Sequence, residues 1–228
     1  MRILAVDTAT EVCGVALARE SGDVAAELCL NRGRTHTGTL MAAIEAVLSL
    51  ADLSLKQVDA FAVTRGPGSF TGLRIGISTV KGLALATGKP LLGVSSLAAL
   101  TCRVPEGITR ICPMIDARRH QVYWSLYERH QQGLVQIHPE TVGPPREAAG
   151  QVAGPCLFVG NGARLYNEQL RAALSRPEWL LAAGEGLDTL SAAAVARLAG
   201  EQLRRGEWVD VHRFAPLYIR PSDARLNV

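Results

Sequence analysis

The chain has 228 residues, 48% of them hydrophobic and 20% charged, and a formal charge of +3 at pH 7. That length suits one large domain or two small lobes, and the composition excludes a disordered chain or a fibrous repeat. No apolar stretch approaches the roughly 18 residues of a membrane-spanning helix.

Met1-Arg2-Ile3-Leu4-Ala5-Val6 runs directly into Asp7, so no signal peptide is expected. Five cysteines without a C-x-x-C spacing argue against a disulfide framework and against a zinc site. The expectation is a soluble protein of a reducing compartment, the cytoplasm. Of the 24 basic residues most are arginine, in short clusters only: Arg32/Arg34/His36, Arg118-Arg119-His120 and Arg204-Arg205. Charge alone does not identify a nucleic-acid surface here.

Ile3 to Val6 is a short run of strand formers ended by Asp7-Thr8-Ala9-Thr10, and Val12 to Ala18 returns as the second strand of a hairpin. Val24 to Leu30 reads as a third strand. A helix spans about 37–50, where Leu40, Ile44, Val47 and Leu48 form the i, i+4, i+7, i+8 stripe and Thr35 or Thr37 is the cap. Asp59 to Thr64 is another strand. It enters the loop Arg65-Gly66-Pro67-Gly68-Ser69-Phe70-Thr71-Gly72, and a helix then runs to about Thr87, where Gly88-Lys89-Pro90 stops it. Leu91 to Val94 is a further strand, followed by a helix from Ser95 or Ser96.

The second half repeats the plan. Ile111 to Ile115 is an apolar run ended by Asp116-Ala117-Arg118-Arg119, and a strand follows at Gln121 to Glu128. Asp7 and Asp116 stand 109 residues apart at corresponding points. Leu157-Phe158-Val159-Gly160-Asn161-Gly162, with a helix to about Leu174, echoes the strand, glycine loop and helix of the first half. Two related α/β lobes are the simplest reading. An Ala-rich helix at about 190–205 is closed by Gly206, and Phe214 to Arg220 returns as an extended segment.

The glycine loop admits two readings. Closely spaced glycines opening a helix make an anion site, because the first helical amides point outward and the helix end is positive. Asp7, Gly66, Gly68, Ser69, Thr71, Gly72 and Arg74 would line it. The loop is neither a P-loop nor a dinucleotide fingerprint, which require other spacings. The other reading is a tight turn with Ser69 or Thr71 as N-cap. Asp7 at a strand end resembles the first phosphate loop of actin-like ATPases, but Ala9 stands where that loop carries glycine. His36 has Leu40 rather than a second histidine at i+4, so no metal site is assigned. Leu73, Ile75, Ile77, Val80, Leu83 and Leu85 surround the second helix, and a helix apolar on all sides must be covered on all sides.

Ile3 to Thr10, Arg65 to Gly76, Gly93-Val94-Ser95-Ser96-Leu97, Ile115-Asp116-Ala117-Arg118 and Pro216 to Arg220 together resemble the bacterial TsaB (YeaZ) family. The resemblance implies two RNase H-like, actin-like (ASKHA) lobes with mixed sheets flanked by helices. A first lobe at 1–102 would carry the dimerisation helices. A smaller second lobe at 103–228 would follow, with the final helix and tail able to pack back on the first. The implied function is that of a non-catalytic partner of the TsaD threonylcarbamoyltransferase. That enzyme makes N6-threonylcarbamoyladenosine (t6A) at position 37 of tRNAs reading codons that start with A.

TsaE would join the complex, and tRNA would be met through the complex rather than alone. The resemblance implies no tightly bound cofactor on this subunit: ATP and a metal would belong to the partners. Without TsaD the chain would form a homodimer. The family's interface maps onto the helices at 37–50 and 71–87, which makes Leu40, Met41, Ile44, Val47, Leu48, Leu73, Ile77 and Val80 the expected docking patch. The competing expectation is a self-standing ATPase or phosphotransferase of actin-like fold. A peptidase reading finds no zinc motif in the sequence.

Overall fold

A computed structural model describes residues 1–31, 36–181, 183–184 and 186–220, without the side chains of residues 36 and 37. The expected cap at Thr35 or Thr37, the side chain of His36 and the cluster it forms with Arg32 and Arg34 lie outside the described residues. The chain divides into two units, Met1–Ala99 with Leu190–Leu217, and Leu100–Thr189 with the residues from Tyr218 onward.

In chain order the first unit contains β1 (Arg2–Asp7), β2 (Val12–Arg19), β3 (Val24–Asn31), α1 (His36–Leu50), β4 (Ala60–Gly66), α2 (Phe70–Thr87) and β5 (Leu91–Ser95). After α3 (Ser96–Thr101), the second holds β6 (Arg110–Asp116), β7 (Val122–His130), β8 (Gly133–Gly143), α4 (Pro145–Gly150), β9 (Cys156–Val159), α5 (Asn161–Leu165), α6 (Asn167–Ala173) and β10 (Leu180–Leu181). The last helix, α7 (Ala192–Arg204), belongs to the first unit.

The first sheet has the order β3-β2-β1-β4-β5, with β1, β2 and β3 antiparallel and β1, β4 and β5 parallel. The second has the order β10-β9-β6-β7-β8 with the same pattern of directions. Read outward from its first strand, each sheet therefore repeats the other. This is the two-lobed actin-like fold.

The alternation of side-chain size decides what lies on each face of the first sheet. Leu4 pairs with Leu17 and Phe61, and Val6 with Val15 and Val63, so one face carries large side chains. They form a buried cluster with Leu40, Ile44 and Val47 of α1 and Ile77 and Val80 of α2. Between them, Ala16, Ala5 and Ala62 form a row of small side chains on the opposite face. There α7 lies, with Ala192, Ala196 and Ala199 buried. A Cβ built on Gly14 would sit 3.3 Å from the Ala192 Cβ, so small residues on both sides allow the close approach.

In the second unit, Trp124, Phe158, Met114, Cys112 and Leu170 build the core. The helix expected up to Leu174 is two short ones, because Tyr166 leaves helical geometry (φ −111°, ψ 22°) while its hydroxyl donates to Asp116 Oδ1 at 3.3 Å. β8 and α4 were not legible in the sequence. β8 is an edge strand whose apolar residues are interrupted by Gln136, His138 and Pro139, so its alternation is weak. Gly88 caps α2 in the left-handed conformation (φ 67°), as the sequence indicates.

The start of α7 is tied to β3. Ser191 Oγ accepts from Ala194 N at 3.3 Å and donates to Glu27 Oε1 at 2.8 Å, and the same carboxylate oxygen accepts from Ala193 N at 3.1 Å. We expect Ser191→Ala and Glu27→Ala each to lower stability by about 1 kcal/mol. The double variant should lose less than the sum, since the three groups form one network. Thermal unfolding of the four proteins checks this, and unchanged midpoints would remove the cap from the account.

Candidate functional site

Asp7 ends β1 with no solvent exposure. Its Oδ1 accepts from Ala9 N at 3.0 Å and from Thr64 Oγ1 at 2.8 Å. Around it the glycine loop closes on the β1–β2 turn. Thr8 Oγ1 donates to Gly72 O at 2.8 Å, and Ser69 N donates to Ala9 O at 2.7 Å. A Cβ on Gly72 would collide with Thr8 O, one on Gly76 with Thr8 Oγ1, and one on Gly68 with the Ala9 carbonyl and its Cβ. Gly66 has φ 123°, and a Cβ there would come 2.6 Å from Leu217 O, whose own amide donates to Arg65 O at 2.7 Å.

The structure thus brings Asp7, Gly66, Gly68, Ser69 and Gly72 together. What the glycines meet is the protein's own backbone, so close packing accounts for them without an anion. Ser69 is the N-cap, accepting from Gly72 N at 3.2 Å. Thr71 and Arg74 are exposed on the first turns of α2, and the Arg74 guanidinium lies over the Phe70 ring at 3.8 Å. Ala9 is 1% exposed, and its methyl lies against Gly68, where a built Cβ would come within 2.9 Å of it. Cys13, one turn further on, is pushed up to about 11 by burial first and by the Asp7 charge second.

The second unit carries the matching turn. Arg118 N donates to Asp116 Oδ1 at 2.9 Å, the same i to i+2 bond that Ala9 makes to Asp7. Asp116 N donates to Asn161 Oδ1 at 3.0 Å, and a Cβ on Gly162 would lie 3.0 Å from the Ile115 carbonyl carbon. Burial, then the Asp116 carboxylate, raises the Tyr166 hydroxyl above its ordinary range. Arg118, Arg119 and His120 have φ of 61°, 54° and 57°. Left-handed backbone costs such residues roughly 1–2 kcal/mol each. Sequence reading missed this strained turn and the Asn161 and Tyr166 contacts. Asn161, framed by two glycines after a strand, was the available signal.

The expected docking patch requires correction. Leu40, Ile44, Val47, Leu48, Leu73, Ile77 and Val80 are all buried, at 0–7% exposure, within the first unit itself. Only Met41, at 43%, reaches the surface. The stripe that predicts the helix is the stripe that meets the sheet, so it is spent on the chain's own core. Nor is α2 covered on all sides: Leu85 is 50% exposed, and Ile75 and Leu83 are half-buried. The outward positions include Met41, Ala42, Glu45, Ser49 and Leu50 on α1, and Thr71, Arg74, Ser78, Gly82 and Leu85 on α2.

A cavity of about 520 Å³ opens at the ends of β9 and β10, over Phe158 and Leu180 and beneath Arg164 and Arg171. Arg164 pairs with Asp188 at 3.0 Å. Among the described residues, no three His, Cys, Asp or Glu side chains converge as a metal site, and no helix is long and apolar enough to cross a membrane.

A family model described as "TsaD: tRNA N6-adenosine threonylcarbamoyltransferase" matches residues 30–227. The chain is 36% identical to the "tRNA threonylcarbamoyladenosine biosynthesis protein TsaB" of Escherichia coli, covering 98% of this chain and 96% of that one. It is 32% identical to the Bacillus subtilis protein of the same description, again over 98% and 96%. A crystal structure from Pseudomonas aeruginosa, described as an uncharacterized protein with similarity to peptidase YEAZ, superposes with a TM-score of 0.82 at 35% identity, covering 96% of this chain and 99% of that one.

Two outcomes follow from this geometry. Gly72→Ala and Gly76→Ala should destabilise the protein by about 2 kcal/mol or more, since the first displaces Thr8 backbone and the second the buried Thr8 hydroxyl that is bonded to Gly72 O. Gly82→Ala, whose Cβ meets nothing within 4 Å, should be neutral or stabilise by up to about 1 kcal/mol. Urea unfolding separates the cases, and equal effects at all three sites would contradict the packing account. Alkylation of the native protein at pH 8 should label exposed Cys29 and spare buried Cys13, Cys112 and Cys156 until unfolding. Burial pushes Cys156 up to about 12 and Cys112 well above the usual range. Rapid labelling of Cys13 would show that the strand end opens.

Proposed function

The chain belongs to the TsaB (YeaZ) family, and we propose that it acts in threonylcarbamoyladenosine formation on tRNA as the non-catalytic partner of a TsaD-type transferase. The observation that carries this reading is the closed strand end at Asp7. The carboxylate is buried and bonded to Thr64 and Ala9, and the Ala9 methyl and the glycines of α2 fill the space in which an actin-like ATPase would admit a phosphate. Such enclosure supports a scaffold role for this end of the sheet.

The chain docks on TsaD through the outward positions of α1 and α2. Met41 and Leu85 supply apolar area, and Ala42, Ser49, Ser78 and Gly82 let a partner's helices approach closely. Docking favours the competent arrangement of TsaD by differential binding, a population shift. ATP and a metal act on the partners, TsaE joins the assembled pair, and the modified nucleotide is adenosine 37 of tRNAs reading codons that start with A. In the absence of TsaD two copies of the chain pair through the same face.

The test is threonylcarbamoyl transfer to tRNA by purified TsaD, TsaE, threonylcarbamoyl-AMP and ATP, with and without this chain. We expect transfer to depend on the chain and to be lost with Met41→Asp or Gly82→Arg, both at exposed positions that leave the core intact. Ile77→Asp is unsuitable, because a charge at that buried site costs folding itself. Equal transfer without the chain, or ATP turnover by the chain alone, would overturn the reading in favour of a self-standing enzyme.

A further inference from the structure

The turns after Asp7 and Asp116 begin alike and then diverge. In the first, Thr8 and Ala9 are buried, Thr8 against Gly72 and Gly76 of α2 and Ala9 against Gly68 of the preceding loop. In the second, Arg118, Arg119 and His120 are all exposed. They are three of the four non-glycine residues with positive φ among the described residues. They are also the only run of three adjacent basic side chains in the sequence.

The turn is held from several sides. Ala117 N donates to Gln121 O at 2.9 Å, and Gln121 N donates to Arg118 O at 3.0 Å. Arg220 donates to Ala117 O at 2.9 Å and also to Gln121 Oε1. Strained backbone persists only where its surroundings over-determine it, and it concentrates at sites with a task. Here these contacts hold the backbone that carries two adjacent arginines at the surface. Asp116, whose side chain is 11% exposed, accepts from Arg118 N and Tyr166 Oη and holds the Arg118 guanidinium through Oδ2 at 3.5 Å, while the Arg118 side chain remains 70% exposed.

We propose that the turn at 118–120 is a contact for the sugar–phosphate backbone of RNA, in the assembly described under the proposed function, on which this inference rests. Guanidinium groups match phosphate oxygens in geometry and keep their charge at any working pH. Among the described residues all three side chains are exposed, whereas a site for a single nucleotide is concave and buries most of its ligand. A polyanion with successive phosphates suits such a surface, because each neutralised phosphate releases counterions. A rigid turn also loses little freedom when the contact forms.

The experiment measures tRNA binding to the complete assembly by fluorescence anisotropy across a salt series. It compares the wild-type chain, Arg118→Ala/Arg119→Ala, the charge-keeping Arg118→Lys/Arg119→Lys, and Arg204→Ala/Arg205→Ala as a control of equal charge change. We expect the alanine pair to weaken binding roughly three- to tenfold at low salt and to reduce the slope of log affinity against log salt by about 1–2. The lysine pair should restore most of the slope, and the control pair should match wild type.

Wild-type affinity and slope in the alanine pair would overturn the assignment. So would loss of assembly on gel filtration with unchanged tRNA binding by what remains assembled, which would make the turn a protein contact. Displacement of tRNA by micromolar free nucleotide only when the arginines are present would make it a mononucleotide site and equally overturn it. Arg119→Ala alone, which leaves the Arg118–Asp116 pair in place, serves if the pair unfolds, with about half the change in slope expected. A wild-type assembly that neither binds nor modifies tRNA would refute the functional reading instead.

Discussion

The start of α2 lies so close to Thr8 of the β1–β2 turn that no Cβ fits between them, at Gly72 because of the Thr8 carbonyl and at Gly76 because of its hydroxyl. Gly72 and Gly76 stand one helical turn apart, and both face Thr8. Thr8 answers with its hydroxyl bonded to Gly72 O. This contact sets the height of α2 above the sheet and, through it, the positions of Ile77 and Val80 in the core beside α1. It also closes the strand end over Asp7. One steric condition therefore governs both the packing of the first unit and what its strand ends can admit.

That condition explains what could be read in advance. Ile3 to Val6, Phe61 to Val63 and the stripe Leu40/Ile44/Val47 were legible because buried strands and helices keep their period regardless of tertiary detail. The role of the glycines was not legible, since a glycine spared for a phosphate and one spared for a neighbouring carbonyl look alike in sequence. Only the position of Thr8 separates them. The docking patch misled for a related reason. Hydrophobic periodicity identifies the face that is covered, and the first claimant on that face is the chain's own sheet. β8 escaped because an edge strand that carries Gln136, His138 and Pro139 needs pairing on one side alone.

The repeated sheet order shows how one plan carries two different strand ends. In each half an aspartate closes the first strand and accepts from the amide two residues on. In each, a glycine after the fourth strand lets a helix start against that turn, Gly72 on Thr8 and Gly162 on Ile115. The first turn is sealed by Ala9 and the glycine loop. The second shares its aspartate between Tyr166 and Arg118 and carries its basic residues exposed on left-handed backbone. Equivalent frames thus hold one buried end and one cationic, solvent-facing end.

Burial also limits how the first unit can bind a partner in the proposed role. Leu40, Ile44, Val47, Ile77 and Val80 have already delivered their transfer free energy to folding, because they are at most 4% exposed in the chain alone. Docking can draw only on what remains outside, chiefly Met41, Leu50, Leu85 and a series of small residues. Small side chains contribute little area but permit close approach, so affinity there depends on fit between backbones more than on apolar area. An interface of that kind is sensitive to added bulk and tolerant of lost bulk. That asymmetry also separates it from the core beneath, where lost bulk leaves a cavity and costs about 2–5 kcal/mol per large side chain.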